Sequence, residues 1–600
     1  MSQFTKKVWR QFLSFVSDQY IVLFLIITTA IKQFLFNSMI LNKGTWSGDQ
    51  ILFIVAISAI FYTPLFFVKR NKNKIAIGIS VFISVLLIVD TVYFSYFSAL
   101  PTVGLLSSVG QTESIGPAII ALIQWWLILY FVDIALVLLL KKPLNKLFVR
   151  IKTKFKVKKT NIWTNWIIAA VVVFGLLFSF GRLGGIDTLT EILDRGYDTV
   201  STANYYGALM AHIIDVSRFI QEETTEISPA QEKALVAWVK DNTPKQTTDP
   251  YTGIAKGKNV IMIQIESLGG FALNQTIDGK EITPTLDNLA KTSQYYPNER
   301  FVIAAGHTSD TDFVANTSYF PLTDAAVFVR FGQDDFNSLP KILIKNGYTA
   351  YAYHGFNRNF WNRNVALKSL GYQKFYAADN YPKGFDINLG LDDGDFLNKT
   401  ADYIKAQPKP SFSYVITLSS HVPFSTNAQT DKLGVDQSKY PPQVGGYLDD
   451  IHYTDSVLGD FFTKLKAEGL YDNSLILVYG DHDPILPAFS AGTINYDPNS
   501  VQGKEVPLII KLPNETVGKT YPDKGAHPDI MPTILDLLGI KTNTLMFGQS
   551  LYADSSNALK VCSDQLVVFP SKGDCNLMLD EERNQSATII RYNQFKNLPH

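Results

Sequence analysis

Asn259-Val260-Ile261-Met262-Ile263-Gln264-Ile265-Glu266-Ser267 is an apolar, largely β-branched run that stops abruptly at an acid and a hydroxyl. A run this short and uniform reads as a strand buried on both faces, the kind found in the middle of a parallel sheet. Comparable runs occur at 348–353, 414–418, 474–479 and 506–512, with helical patterns at 283–293, 338–346, 447–469 and 528–539. The alternation predicts an α/β domain over 259–600 with a largely parallel central sheet. No internal repeat or low-complexity tract interrupts it.

The chemistry lies just past the strands. The first ends in Glu266-Ser267, the second in His354-Gly355, the third in Ser419-Ser420-His421 and the fourth in Gly480-Asp481-His482. Open α/β sheets bind ligands beyond the carboxyl ends of their strands, so these acids and imidazoles share one edge. Any one alone reads as a hydrogen-bonded structural residue; four together read as an active site. Glu266, Asp481 and His482 make a mixed oxygen and nitrogen set suited to Mn²⁺, Mg²⁺ or Zn²⁺. Gly306-His307-Thr308-Ser309-Asp310-Thr311-Asp312-Phe313 supplies hydroxyls that such a cation would activate, although the same residue types also begin helices. Spacing does not choose among Thr308, Ser309 and Thr311. His354, Trp361 and Arg363 fall within ten residues, where a guanidinium fork suits a phosphate and an indole forms an apolar wall.

The 600 residues exceed one ordinary domain, and 46% hydrophobic with 13% aromatic residues is rich for a purely soluble chain. Zero net charge hides a split: residues 1–183 carry 19 Lys/Arg against 5 Asp/Glu, which leaves 35 against 49 in the remainder. With the larger part acidic, no basic face remains for nucleic acid. Apolar runs at about 20–36, 51–68, 75–97, 118–140 and 163–181 predict five transmembrane helices over 1–183. Lys32 falls inside the first, where the expectation is that its amine snorkels to an interface. Basic clusters at Lys6, Lys7 and Arg10, at 69–74 and at 141–159 alternate with loops poor in them. The positive-inside rule puts these clusters in the cytoplasm and everything after the fifth span outside the cell. Residues 184–258 read as a polar helical linker, with Ser228-Pro229-Ala230-Gln231 as a capping box. Cys562 and Cys575 permit a local disulfide in an oxidising exterior.

At Gly306-His307-Thr308-Ser309-Asp310, Phe360-Trp361-Asn362-Arg363-Asn364, His421-Val422-Pro423-Phe424 and Tyr479-Gly480-Asp481-His482 the chain resembles the lipoteichoic acid synthase family. These are membrane-anchored polyglycerol-phosphate synthases of the alkaline phosphatase and sulfatase superfamily, with five spans before an external sulfatase-like domain. The resemblance implies that Thr308 is the nucleophile and that Glu266, Thr308, Asp481 and His482 bind one divalent cation, Mn²⁺ or Mg²⁺. It implies that His354, Trp361, Arg363 and His421 surround a phosphoglycerol group. That group comes from phosphatidylglycerol, by way of a phosphoglyceryl-threonine, and passes to a glycolipid or a growing polyglycerol-phosphate chain anchored in the cell membrane.

Two positions depart from the family pattern: His307 stands where Lys is expected, and Phe356 where an acid is expected. They leave the acceptor open, so a primase that adds the first unit to a glycolipid is an alternative to a polymerase. A phosphoethanolamine-type transferase shares the threonine nucleophile, and a non-catalytic envelope scaffold is the rival outside enzymes. A sulfatase is disfavoured because no Cys/Ser-x-Pro-x-Arg sequence surrounds Thr308.

Overall fold

The computed structural model describes residues 3–41, 43–97, 100–104, 123–155, 157, 160–194, 199–224, 226–242, 248–424, 430–522, 525–553, 560–561, 567–568 and 575–598. The chain divides into two compact units, Met1–Val103 with Ala121–Thr224, and Gly104–Ile120 with Thr225–His600. The expected pairing of Cys562 with Cys575 lies outside the described residues.

The first unit is helical. Its long helices are α1 (Gln3–Met39), α2 (Gly48–Tyr62), α3 (Lys72–Phe97), α4 (Val132–Lys154) and α5 (Ile162–Arg182). A capping box starts α2, with Gln50 N donating to Ser47 Oγ at 3.1 Å and Ser47 N to Gln50 Oε1 at 3.1 Å. Among the described residues four stretches are long and apolar enough to cross a bilayer: Lys7–Met39, Gly48–Phe66, Lys72–Ser95 and Ile162–Arg182. The run expected at 118–140 is not among them. Residues 118–122 lie outside the described ones, Trp125–Phe131 is a 3-10 helix, and α4 carries Lys141, Lys142, Lys146, Arg150, Lys152 and Lys154 beyond its first turns.

Lys32 does not snorkel. Its amine is buried 2.7 Å from Asp133 Oδ1, donating to Ser84 Oγ at 2.7 Å and Ser80 Oγ at 3.2 Å. Asp133 Oδ2 accepts from Thr28 and Ser80 at 3.0 and 2.8 Å. A charge among apolar helices is tolerable when every donor and acceptor is met, which α1, α3 and α4 together achieve.

In the second unit the capping box of the helix Pro229–Asn242 forms: Gln231 N donates to Ser228 Oγ at 3.3 Å and Ser228 N to Gln231 Oε1 at 3.0 Å. Among the described residues its main sheet has eight strands: β1 (Asn259–Ile265), β2 (Gln294–Arg300), β3 (Thr349–His354), β4 (Lys374–Tyr376), β5 (Ser411–Ile416), β6 (Ser474–Gly480), β7 (Glu505–Lys511) and β8 (Lys519–Thr520). Their order is β8-β2-β7-β6-β1-β5-β3-β4. Strand β7 runs antiparallel to both its neighbours and the other pairs are parallel, so the sheet is mixed and mostly parallel.

All seven residues of β1 are buried, as its apolar run requires of a central strand. On one face Val260 and Met262 join a core with Phe313, Val314, Ile530 and Ile534. Ile261 and Ile263 point to the opposite face and are equally buried. Register pairs Ile265 with Gly480, Gln264 with Ile416, and Ile416 with His354. Four strands therefore end level along one edge, and the residues just past their ends are forced together.

Candidate active site

Glu266 comes directly after β1 and Asp481 directly after β6, side by side because their strands pair in register. Asp481 N donates to Ile265 O at 3.2 Å, and Ser267 N donates to Asp481 Oδ1 at 2.7 Å. Gly480 is obligatory here, since a Cβ would lie 2.1 Å from the Leu268 carbonyl oxygen. His482 Nδ1 donates to Asp483 O at 2.8 Å, which turns Nε2 toward Asp481 Oδ2 at 3.5 Å and Glu266 Oε1 at 3.6 Å.

Ligand atoms of Glu266, Asp481 and His482 all lie within 4.8 Å of one another, and the three residues are buried. Among the described residues Asp481 Oδ2 has no hydrogen-bond partner. Burial and the neighbouring Glu266 charge push the Asp481 carboxyl well above its usual range. Burial also raises Glu266, but His421 and His482 outweigh it and hold that carboxyl low. An orphaned carboxylate oxygen, a second carboxylate and an imidazole nitrogen aimed at one space fit a divalent cation.

Thr308 opens α6 (Thr308–Thr317), whose ten residues are all buried. Its Oγ1 donates to Glu266 Oε2 at 3.3 Å and lies 3.5 Å from His482 Nε2. The turn before it is tight: His307 adopts φ 44°, and Asp310 Oδ2 accepts from Ala304 N and Gly306 N at 2.8 Å each. Burial pushes Asp310 up to about 7. Thr311 Oγ1 donates to Asp481 O at 2.9 Å, which ties the helix to the loop after β6. Ser309 Oγ donates back to Gly306 O at 2.7 Å, so Thr308 is the hydroxyl of this stretch that faces the acids.

A second group adjoins this set. His354, ending β3, donates from Nδ1 to Ile416 O at 3.1 Å and accepts from Arg363 at Nε2 over 3.2 Å. Burial and the Arg363 charge keep its imidazole well below the usual range, hence neutral. Arg363 is 1% exposed, and among the described residues one terminal nitrogen, Nη2, has no hydrogen-bond partner, which leaves donors for a ligand oxygen. His421 lies past the end of β5 and is buried; burial lowers its pKa, opposed by the Glu266 charge. Trp361 is half-buried at the end of a row of rings running from His354 through Phe356 and Phe360, with neighbouring centroids 6.5, 5.1 and 5.5 Å apart. That row sets the indole three rings away from His354.

Sequence reasoning missed Asp312. Its Oδ2 accepts from Arg363 Nε at 2.8 Å, and its Oδ1 from Gln264 at 3.0 Å and Tyr414 at 2.7 Å. The signal was present: Asp312 stands four residues after Thr308, on the same helix face. His527 was missed too. It donates from Nε2 to Gly480 O at 3.0 Å and accepts from Val302 N at Nδ1 over 3.4 Å, and burial lowers its pKa to about 3.

A helix-borne threonine beside a Glu-Asp-His set, at the carboxyl edge of a mostly parallel sheet, places the second unit in the sulfatase class, and the Sulfatase family model matches residues 258–540. The model for the lipoteichoic acid synthase N-terminal domain matches residues 1–227. The lipoteichoic acid synthase of Staphylococcus saprophyticus is 32% identical over 538 residues, 84% of this chain and 78% of the relative. That of Staphylococcus aureus is 33% identical over 495 residues, 79% and 74% of the respective chains. The chain belongs to the lipoteichoic acid synthase family. Among solved structures, the lipoteichoic acid synthase LtaP of Listeria monocytogenes aligns with TM-score 0.49 and 24% identity over 61% of this chain and 99% of that one. The phosphoglycerol transferase GacH of Streptococcus pyogenes aligns with TM-score 0.42 and 17% identity over 61% and 94%.

Proposed function

We propose that this chain transfers glycerol phosphate from phosphatidylglycerol to a lipid-anchored acceptor in lipoteichoic acid synthesis. The observation that carries the reading is Thr308 Oγ1, buried at a helix start, 3.3 Å from Glu266 and 3.5 Å from His482. In this reading five spans hold the chain in the cell membrane with the catalytic unit outside, where donor headgroup and acceptor share one leaflet. Glu266, Asp481, His482 and Thr308 hold one cation, Mn²⁺ first and Mg²⁺ second. When bound, it supplies positive charge that acidifies a hydroxyl and offsets charge on phosphoryl oxygens.

Thr308 Oγ1 forms a bond to phosphorus as the bond from phosphorus to the diacylglycerol oxygen breaks, leaving a phosphoglyceryl-threonine. Arg363, with donors to spare, takes the phosphoryl oxygens. Neutral His354 accepts from Arg363 and so keeps the guanidinium aimed. The proton lost by Thr308 equals the one gained by the departing diacylglycerol, and His421 is the group assigned to carry it. In the second half an acceptor hydroxyl attacks phosphorus, His421 takes its proton, and the threonine oxygen leaves and is reprotonated.

Phe356, its ring 6.5 Å from that of His354, stands where the family pattern has an acid, which keeps the primase reading beside the polymerase one. Incubating the detergent-solubilised full chain separately with phosphatidylglycerol and phosphatidylethanolamine tests the donor. Diacylglycerol should appear from phosphatidylglycerol alone; release from phosphatidylethanolamine would point to the phosphoethanolamine-type alternative.

A further inference from the structure

His421 closes a turn whose residues are all held. Its own N–H donates to Leu418 O at 3.0 Å. Ser420 Oγ donates to the Glu266 carbonyl oxygen at 2.6 Å, which ties the turn to the end of β1. Asp393 and Asn388, from a segment earlier in the chain, supply the rest. Leu418 N donates to Asp393 Oδ1 at 2.9 Å and Ser419 N to Asp393 Oδ2 at 2.8 Å, while Asp393 N donates to Ser419 Oγ at 2.9 Å. Asn388 Nδ2 donates to Ser419 O at 2.7 Å.

Asp393 is the first residue of α7 (Asp393–Ala406), but it does not cap that helix. Asp392 does, its oxygens accepting from Gly394 N and Asp395 N at 3.1 and 3.2 Å. The Asp393 carboxylate is spent on the turn instead, and the residue is 0% exposed. Burying a carboxylate is costly unless donors meet it, and here two consecutive backbone N–H groups do so. Paired bonds of this kind fix the orientation of the peptides as well as their distance. The approach to Asp393 is a short hairpin, Asp386–Ile387 with Gly390–Leu391, set between two loops of the site. Leu391 N donates to Gly355 O at 2.9 Å, next to His354. Gly390 makes the close approach possible, since a Cβ there would lie 2.7 Å from Leu418 Cδ2 and 2.8 Å from Phe356 Cδ2.

We propose that Asp393 is a positioning residue for the transfer: by holding the peptides of Leu418 and Ser419 it sets where the His421 imidazole stands, and so how fast a proton reaches the departing diacylglycerol oxygen. The proposal rests on His421 as the proton carrier of the transfer reaction. His421 Nδ1 donates to the Val422 carbonyl oxygen, so Nε2 is the nitrogen that takes and gives the proton. In the first half of the transfer the bond from phosphorus to the diacylglycerol oxygen breaks, and the proton given up by Thr308 passes through Nε2 to that oxygen. Delivery is the demanding part, because an alkoxide leaves poorly without a proton. A misplacement of about 1 Å costs about 10² in rate, so the turn must be held as tightly as Asp393 holds it.

The test compares two leaving groups over the first turnover of the full chain, loaded with Mn²⁺ in detergent. Phosphatidylglycerol must lose an alkoxide, whereas the 4-nitrophenyl ester of glycerol phosphate loses a phenolate that is stable without a proton. Asp393→Asn keeps the shape but turns one acceptor into a donor that faces a backbone N–H. It should slow diacylglycerol release about 10²-fold and nitrophenolate release less than about fivefold. His421→Ala, run beside it, should show the same selectivity. Equal loss of Asp393→Asn with both substrates, or loss with neither, overturns the positioning role. A selective His421→Ala beside a non-selective Asp393→Asn overturns that role alone, while a non-selective His421→Ala overturns the proton-carrying reading and the role of Asp393 with it. If Asp393→Asn fails to fold, Ser419→Ala, which removes the hydroxyl that accepts from Asp393 N, decides by the same comparison, with a selective loss of about tenfold expected.

Discussion

The carboxylate of Asp312 meets the guanidinium of Arg363 at 2.8 Å, both fully buried, and Asp312 rides one helical turn behind Thr308. Thr308 and Arg363, the nucleophile and phosphate clamp of the proposed mechanism, are thereby tied to the same helix. Asp312→Asn keeps the shape but leaves Arg363 uncompensated and less firmly aimed. We expect kcat for diacylglycerol release to fall by about 10² while KM for phosphatidylglycerol changes far less. A KM effect with unchanged kcat would show that Asp312 only supports binding.

Cation removal should interact with pH in a definite direction. In the stripped protein Asp481 is raised well above its ordinary 3.8. Below 3.8 both folded and unfolded chains hold the proton and the folded state keeps that advantage. As pH rises toward the folded value the unfolded carboxyl ionises first, and stability is lost at up to about 1.4 kcal/mol per pH unit. Glu266, held low, works the other way, contributing above 4.5 and losing that contribution as pH falls. A cation needs both ionised. Thermal unfolding with and without Mn²⁺ should therefore show a stabilisation by metal that grows from about pH 5 toward neutrality; one that shrinks would contradict the ligand set.

Gly480→Ala puts a methyl 2.1 Å from the Leu268 carbonyl, a clash with backbone that cannot be relieved by a side-chain rotation. Shifting the strand end displaces Asp481 and His482 with it. A loss of about 2–4 kcal/mol in stability, together with weakened Mn²⁺ binding, is expected by calorimetry and metal titration.

In the helical unit, Lys32→Met strands Asp133 without its cation and should cost about 3–5 kcal/mol in detergent. Adding Asp133→Asn should recover much of it. Failure of the double variant to recover would mean that packing of Lys32, not its charge, matters.

The central sheet was legible because β1, β3, β5 and β6 are apolar runs ending at Glu266, His354, His421 and Asp481, and parallel strands in register must bring their ends together. β2 was not legible: Gln294-Tyr295-Tyr296-Pro297-Asn298-Glu299-Arg300 carries a proline, charges and a bulge that breaks alternation. Spacing does not separate Thr308 from Ser309 and Thr311; the family motif points to Thr308, and hydrogen bonds to Gly306 O and Asp481 O engage the other two hydroxyls. Lys32 was misread because its partner, Asp133, sits on a helix far along the chain, and sequence spacing does not reveal a contact between separate helices.

Trapping the covalent intermediate tests the transferase mechanism most directly. The full chain, loaded with Mn²⁺ and given phosphatidylglycerol without acceptor, should yield on quenching a phosphoglyceryl group on the peptide at Thr308. Thr308→Ala should give neither adduct nor diacylglycerol. Diacylglycerol release by Thr308→Ala at the wild-type rate would contradict Thr308 as the nucleophile.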